Sequence, residues 1–231
     1  MTSAKSSNGG VADIDRPIPV VDAIRDAIAD GEFAANQRLI ESDLSERFGA
    51  SRGNVRTALL QLASEGLVER MQNRGARVRA VSLPEAIEIT EVRMALEGLC
   101  AAKAAERATA DDCEQLRVLG AAMKEAVASG DLLRYSDLNR KLDAHIKELS
   151  GQSTAQGVLK RLRAQNVRHQ FRMATHPGRA AVSLIQHLEI IDALCARDPD
   201  AAEAAVRRHL RSVIETLPEL SSASGRHIGA L

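Results

Sequence analysis

The chain changes texture at Val81-Ser82-Leu83-Pro84, and that change limits what it can fold into. Upstream, short stretches of helical apolar spacing are cut by Gly31, Gly49, Gly53, Gly66 and Gly75; downstream, long Ala/Leu-periodic segments run with few breakers. The first part predicts a small domain of short elements, the second a helical bundle, and the fold class is mainly α. A chain of 231 residues is long enough to give each part a core. The expected division is a disordered arm over 1–15, a first domain over 16–80, a linker over 81–84, a bundle over 85–220 and a flexible tail over 221–231.

Composition removes several functions. The aromatic residues are Phe33, Phe48, Phe171 and Tyr135, with no Trp, which excludes single-strand nucleic-acid binding on stacked aromatic platforms and aromatic sugar cradles. Three cysteines, Cys100, Cys113 and Cys195, have no C-x-x-C spacing, so neither a disulfide framework nor a zinc ribbon is indicated and each reads as a small buried apolar residue. No apolar run approaches the length of a membrane span, and MTSAKSSNGG lacks the apolar centre of a signal peptide. The expectation is a cytoplasmic protein with no membrane partner.

Net charge is zero, with 31 Lys and Arg against 31 Asp and Glu, yet the charge is unevenly placed. Residues 47–79 carry seven Arg against Glu65 and Glu69, a local balance of +5, whereas basic and acidic residues are equal in number from 81 onward. The basic cluster coincides with a recognisable pattern. A helix over 20–29 has Val20, Val21, Ile24 and Ile28 on one face and stops at Gly31. A second runs from Glu41 to Phe48 and stops at Gly49; Ser51 then caps a third reaching about Glu65, with Val55, Leu59 and Leu62 as its buried stripe. Leu67–Arg70 and Ala76–Arg79 alternate as strands around the turn Gln72-Asn73-Arg74-Gly75. This is a winged helix-turn-helix.

In that architecture the start of the second helix of the motif meets base edges in the major groove. Ser51, Arg52, Gly53, Asn54 and Arg56 occupy it: Arg52 has the donor fork for a guanine edge, Asn54 suits a base or phosphate, Arg56 a phosphate or base, and Gly53 permits close backbone approach. Arg74 and Gly75 suit a narrow minor groove.

The stretch from PIPVVDAIRDAIADGEF through SDLSERFGASRGNVRTALLQLASEGLVERMQNRGARVRAV resembles the amino-terminal domain of GntR-family bacterial transcription regulators over about 65 residues. Two places depart from the family pattern. Asn36-Gln37 stands where Pro-Gly is usual, and Ser42 stands where some members carry a DNA-contacting Arg, so contact there is weaker. The resemblance implies double-stranded operator DNA as a partner.

After Pro84, six helices are expected, at about 85–107, 111–128, 131–150, 154–175, 178–196 and 200–217, each junction combining a stop with a fresh cap. They make an antiparallel bundle, whose core can build a ligand pocket. Asn139 and Asp143 share a helix face, while His187 and His209 lie in two other helices; two His and a carboxylate from separate helices match a divalent-metal donor set. Arg93 either clamps an effector carboxylate or pairs with Glu97 one turn on, and Arg168 is a further effector-binding candidate.

The bundle is similar to the FCD ligand-binding domain of the FadR subgroup of these regulators, from Glu91-Val92-Arg93 to Asp198-Pro199-Asp200 and His209. The resemblance implies a divalent metal such as zinc or nickel, with a small carboxylate beside it. His187 and His209 match two of the implied ligands. Asn139 stands where the family has Asp, and Asp143 where it has His. Two readings stay open: Asp143, His187 and His209 form a three-ligand site with Asn139 beside it, or the metal is gone and the pocket holds its effector by hydrogen bonds.

The functional expectation is a homodimeric, sequence-specific transcriptional repressor controlled by a small organic acid in the bundle. The alternative is a helical-bundle metalloenzyme fused to a DNA-binding domain. No nucleophile with triad context, phosphate loop or second catalytic carboxylate favours it, so the chain reads as no enzyme.

Overall fold

The computed structural model describes residues 19–71, 75–166, 169, 173 and 176–222. The first unit contains α1 (Val20–Ala29), β1 (Arg38–Leu39), α2 (Glu41–Arg47), α3 (Arg52–Ser64), β2 (Val68–Met71) and β3 (Gly75–Val78). Its core gathers Ile24, Ile28, Phe33, Leu39, Leu44, Val55, Leu59, Leu62 and Val78, so each expected apolar stripe points inward. The sheet has an unexpected third strand: β1 pairs antiparallel with β3, Leu39 opposite Ala76, and β3 pairs with β2.

Gly75 is a strand residue rather than part of the turn, with φ of +82°. A Cβ there would stand 2.6 Å from the Leu39 carbonyl oxygen, so only glycine lets β1 approach β3 this closely.

The second unit comprises α4 (Leu83–Arg107), α5 (Ala110–Ala128), α6 (Leu132–Ser150), α7 (Ser153–Gln165), α8 (Arg179–Cys195) and α9 (Pro199–Ser222). Junction chemistry follows the sequence. Thr109 and Asp112 form a capping box, and the Asp131 carboxylate accepts from the Arg134 N–H at 2.9 Å. Ser82 caps α4, which opens at Leu83, inside the span expected as linker. Helix α4 lies along α9 and α6, and α5 packs on α8 and α6, around Leu116, Met123, Leu142, Ile191, Leu194 and Leu210.

Two helix boundaries differ from expectation. The helix expected over 154–175 is continuous only as α7; of the rest of that span, His169 and Met173 are helical and most lies outside the described residues. The last helix does not stop before Pro218 but continues to Ser222, because Leu217 and Leu220 bury against Val81, Ile89 and Met173, and that packing outweighs the one backbone hydrogen bond that proline removes. The arm over 1–15 and residues 223–231 of the expected tail lie outside the described residues.

Helix α7 joins the two units. Ala164 packs into the core of the first, Lys160 pairs with Asp26 of α1 at 3.1 Å, and the Gln165 amide donates to the Glu65 carbonyl at 2.6 Å.

Candidate functional site

The Ser51 hydroxyl accepts from the Asn54 N–H at 3.2 Å and fixes the first turn of α3. With Val55, Ala58, Leu59 and Leu62 buried, Arg52, Gly53, Asn54 and Arg56 stand on the exposed side of that helix. Arg52 is exposed, with no hydrogen bond or ion pair among the described residues, and its charge acts on the nearby Glu41 carboxylate. Arg56 is held across the helix-turn-helix instead, its Nε and Nη2 on the Glu41 carboxylate at 3.2 and 3.0 Å. That hydrogen bond holds the Glu41 carboxyl below its ordinary value, so Arg56 must exchange one anion for another to grip a phosphate. Ser42 is exposed but donates to Asp43 at 3.0 Å, in a local setting made acidic by Glu41 and Asp43. Arg74 lies outside the described residues.

A cavity of about 860 Å³ opens within the second unit and reaches the first. Arg93, Asn139, Asp143, His187 and His209 all border it, so five of the predicted effector and metal residues converge; Arg168 lies outside the described residues. The Ala29–Asn36 segment closes one side. His187 and His209 have ring centroids 4.6 Å apart. The Tyr135 hydroxyl and His187 Nδ1 share a hydrogen bond of 2.9 Å, and His209 Nδ1 donates to the Gln186 side-chain oxygen at 2.9 Å. Burial, with the nearby Arg179 charge, pushes His187 down to about 4. Burial likewise lowers His209 well below its ordinary value, with His187, Arg179 and Arg93 adding to it. Both rings are neutral near pH 7, about the pH of the cell interior.

The sequence model for bacterial regulatory proteins of the gntR family matches residues 19–78, and that for the FCD domain matches residues 88–212. The chain belongs to the GntR family and carries an FCD domain. Among relatives of this GntR regulator, the HTH-type transcriptional repressor RspR of Escherichia coli K12 is 29% identical over 188 residues, covering 81% of this chain and 82% of RspR. A Paenarthrobacter nicotinovorans protein named as a probable D-xylose utilization operon transcriptional repressor is 28% identical over 203 residues, covering 86% of this chain and 85% of that protein. The solved structure of Escherichia coli McbR/YncC shares the fold, with a TM-score of 0.76 at 22% identity over 87% of this chain and 96% of that one. Family and relatives make the chain a DNA-binding transcriptional regulator and not an enzyme. No described helix is long and apolar enough to cross a membrane.

FCD domains of this family can bind a metal ion, and the cavity of this GntR regulator tests that expectation residue by residue. The neutral histidines suit a metal, but the third donor does not join them. The Asp143 carboxylate is taken by Lys147 at 2.6 Å and Arg163 at 3.3 Å. Among the described residues no group of three or more His, Cys, Asp or Glu side chains is placed to hold a metal. The donor set therefore does not fit a metal centre. Of the two roles read for Arg93, the pair with Glu97 is the one it makes, at 2.9 Å; burial pulls its guanidinium down, and the Glu97 charge and hydrogen bond outweigh that and raise it.

Sequence reasoning missed Tyr135, Asn166, His169 and Arg179 on the cavity wall. Arg179 carried a usable signal, a cation in the first turn of a helix, where the macrodipole disfavours positive charge.

Proposed function

We propose that the protein is a homodimeric repressor, acting in the cytoplasm, whose operator affinity is set by a small organic acid in the bundle cavity. The carrying observation is that a single cavity is bordered both by the bundle and by the Ala29–Asn36 segment between α1 and β1. A molecule there touches both units. It therefore stabilises whichever arrangement of them it fits best, and operator affinity shifts by its differential binding to the two arrangements.

Ser51, Arg52, Gly53, Asn54 and Arg56 read the major groove, with Ser42 and the wing around Arg74 and Gly75 making flanking contacts. A dimer presents two such heads to paired half-sites about one helical turn apart. The exposed Val92 and Leu99 of α4 and Val182 and Ile185 of α8 offer apolar surface for a second copy.

Fluorescence anisotropy on a duplex from the region upstream of the protein's own coding sequence, beside size measurement in solution, tests this reading. A dimer binding that duplex far more tightly than a scrambled one supports it. A monomer binding both duplexes equally would overturn it.

A further inference from the structure

Among the described residues Arg179, on the cavity wall, is in no ion pair, although the Glu215 charge acts on it from beyond ion-pair distance. Arg179 is 6% exposed. Its Nη1 is anchored to the Ser212 hydroxyl at 2.6 Å, but Nε and Nη2 are buried without a hydrogen-bond partner. A buried guanidinium with two unpaired donors is costly, and the planar fork they form is the shape that a carboxylate meets with two parallel hydrogen bonds.

Other charged side chains on the wall are paired among themselves. Arg93 is paired with Glu97 at 2.9 Å, and Lys147 and Arg163 share the one Asp143 carboxylate. Asn166 Oδ1 and His169 Nδ1 are also buried without partners, and His169 donates from its other nitrogen to the Val81 carbonyl at 3.0 Å. These two atoms are acceptors and repel a carboxylate, which directs an anion to Arg179. Leu142, Ile190, Leu210, Val213 and Leu217 supply apolar wall, and about 860 Å³ is far more than a bare carboxylate fills.

We propose that the cavity binds an organic monocarboxylate with an apolar body and without a metal ion, the carboxylate seated on Arg179. The two unpaired donors of the Arg179 fork call for a carboxylate, and the apolar walls call for carbon behind it. The inference rests on the reading of the cavity as an effector site, but binding and its consequence for DNA are separable.

The test is calorimetric titration of the full chain with octanoate, octanamide and octanedioate, each with and without EDTA. Octanoate should bind equally with and without chelator, and octanamide about tenfold or more weaker, because it lacks the charge that the guanidinium needs. Octanedioate should also be weaker, since its second carboxylate would be buried against apolar wall. Arg179→Met should weaken octanoate about tenfold or more, with Arg179→Lys between the two. Ser212→Ala, which only loosens the anchor, gives a milder loss and serves where Arg179→Met does not fold. The proposal is overturned if octanoate does not bind the folded wild type, if EDTA abolishes binding and added zinc restores it, if octanamide binds as well as octanoate, or if folded Arg179 variants bind like wild type. Operator affinity at saturating octanoate is read separately: binding that leaves it unchanged sinks the effector reading and leaves the site standing.

Discussion

Arg25 of α1 meets Glu65, at the end of α3, through two N–H···O contacts of 2.9 and 2.8 Å from Nε and Nη2. Both side chains are at least nine-tenths buried. The backbone carbonyl of the same Glu65 accepts from Gln165 of α7. The reading helix is thus tied at one point to the helix that supports it and to the bundle.

Removing Arg25 leaves the Glu65 carboxylate buried with the Gln61 amide still donating to it, whereas Arg25 without Glu65 keeps its ion pair with Asp22. Arg25→Ala should cost about 3 kcal/mol or more, and Glu65→Ala less, because Asp22 still pairs with Arg25. Urea unfolding of the two single variants and the double variant checks this. The double variant should lose clearly less than the two single losses combined, and strict additivity would refute the coupling.

Gly75 sets the spacing of the wing. Gly75→Ala places a methyl against the Leu39 carbonyl oxygen at a φ that alanine disfavours. The expected loss is about 2 kcal/mol or more, with β1 displaced from β3. Thermal unfolding with amide exchange across 38–39 and 75–78 reads both effects, and wild-type protection there would contradict the assignment.

Acidification should destabilise the bundle. His187 and His209 have folded values below the ordinary 6.5, His187 at about 4. Between those values the unfolded chain binds more protons than the folded one. Stability is therefore fully present above 6.5 and declines as pH falls toward 4. Each histidine contributes a slope of at most about 1.4 kcal/mol per pH unit. Urea midpoints across this window measure it, and His187→Gln should flatten the slope. A midpoint that rises on acidification would contradict the buried, neutral rings.

What the sequence made legible follows from interaction range. Ser51, Thr109 and Asp131 announce helix starts because capping is settled within a few residues, and the apolar stripe of α3 is fixed by helical period alone. Strand β1 was invisible because two residues, Arg38 and Leu39, carry no period, and its pairing depends on the glycine at 75. The helix across Pro218 defied a local rule because Leu217 and Leu220 bury against residues from distant parts of the chain. In the cavity, the family resemblance pointed to His187, His209 and Asp143 on three different helices, and all three border it. The resemblance could not reveal that Lys147 and Arg163 occupy the carboxylate, or that Arg179 is anchored by a serine 33 residues away.

The central claim is that the start of α3 reads operator DNA through Arg52. Anisotropy titrations of wild type and Arg52→Ala, on the upstream duplex and a scrambled duplex at fixed salt, test it most directly. Arg52→Ala should weaken binding to the upstream duplex by about 1 to 3 kcal/mol per half-site contact while affinity for the scrambled duplex changes far less. Equal losses on both duplexes, or no loss on either, would contradict the account.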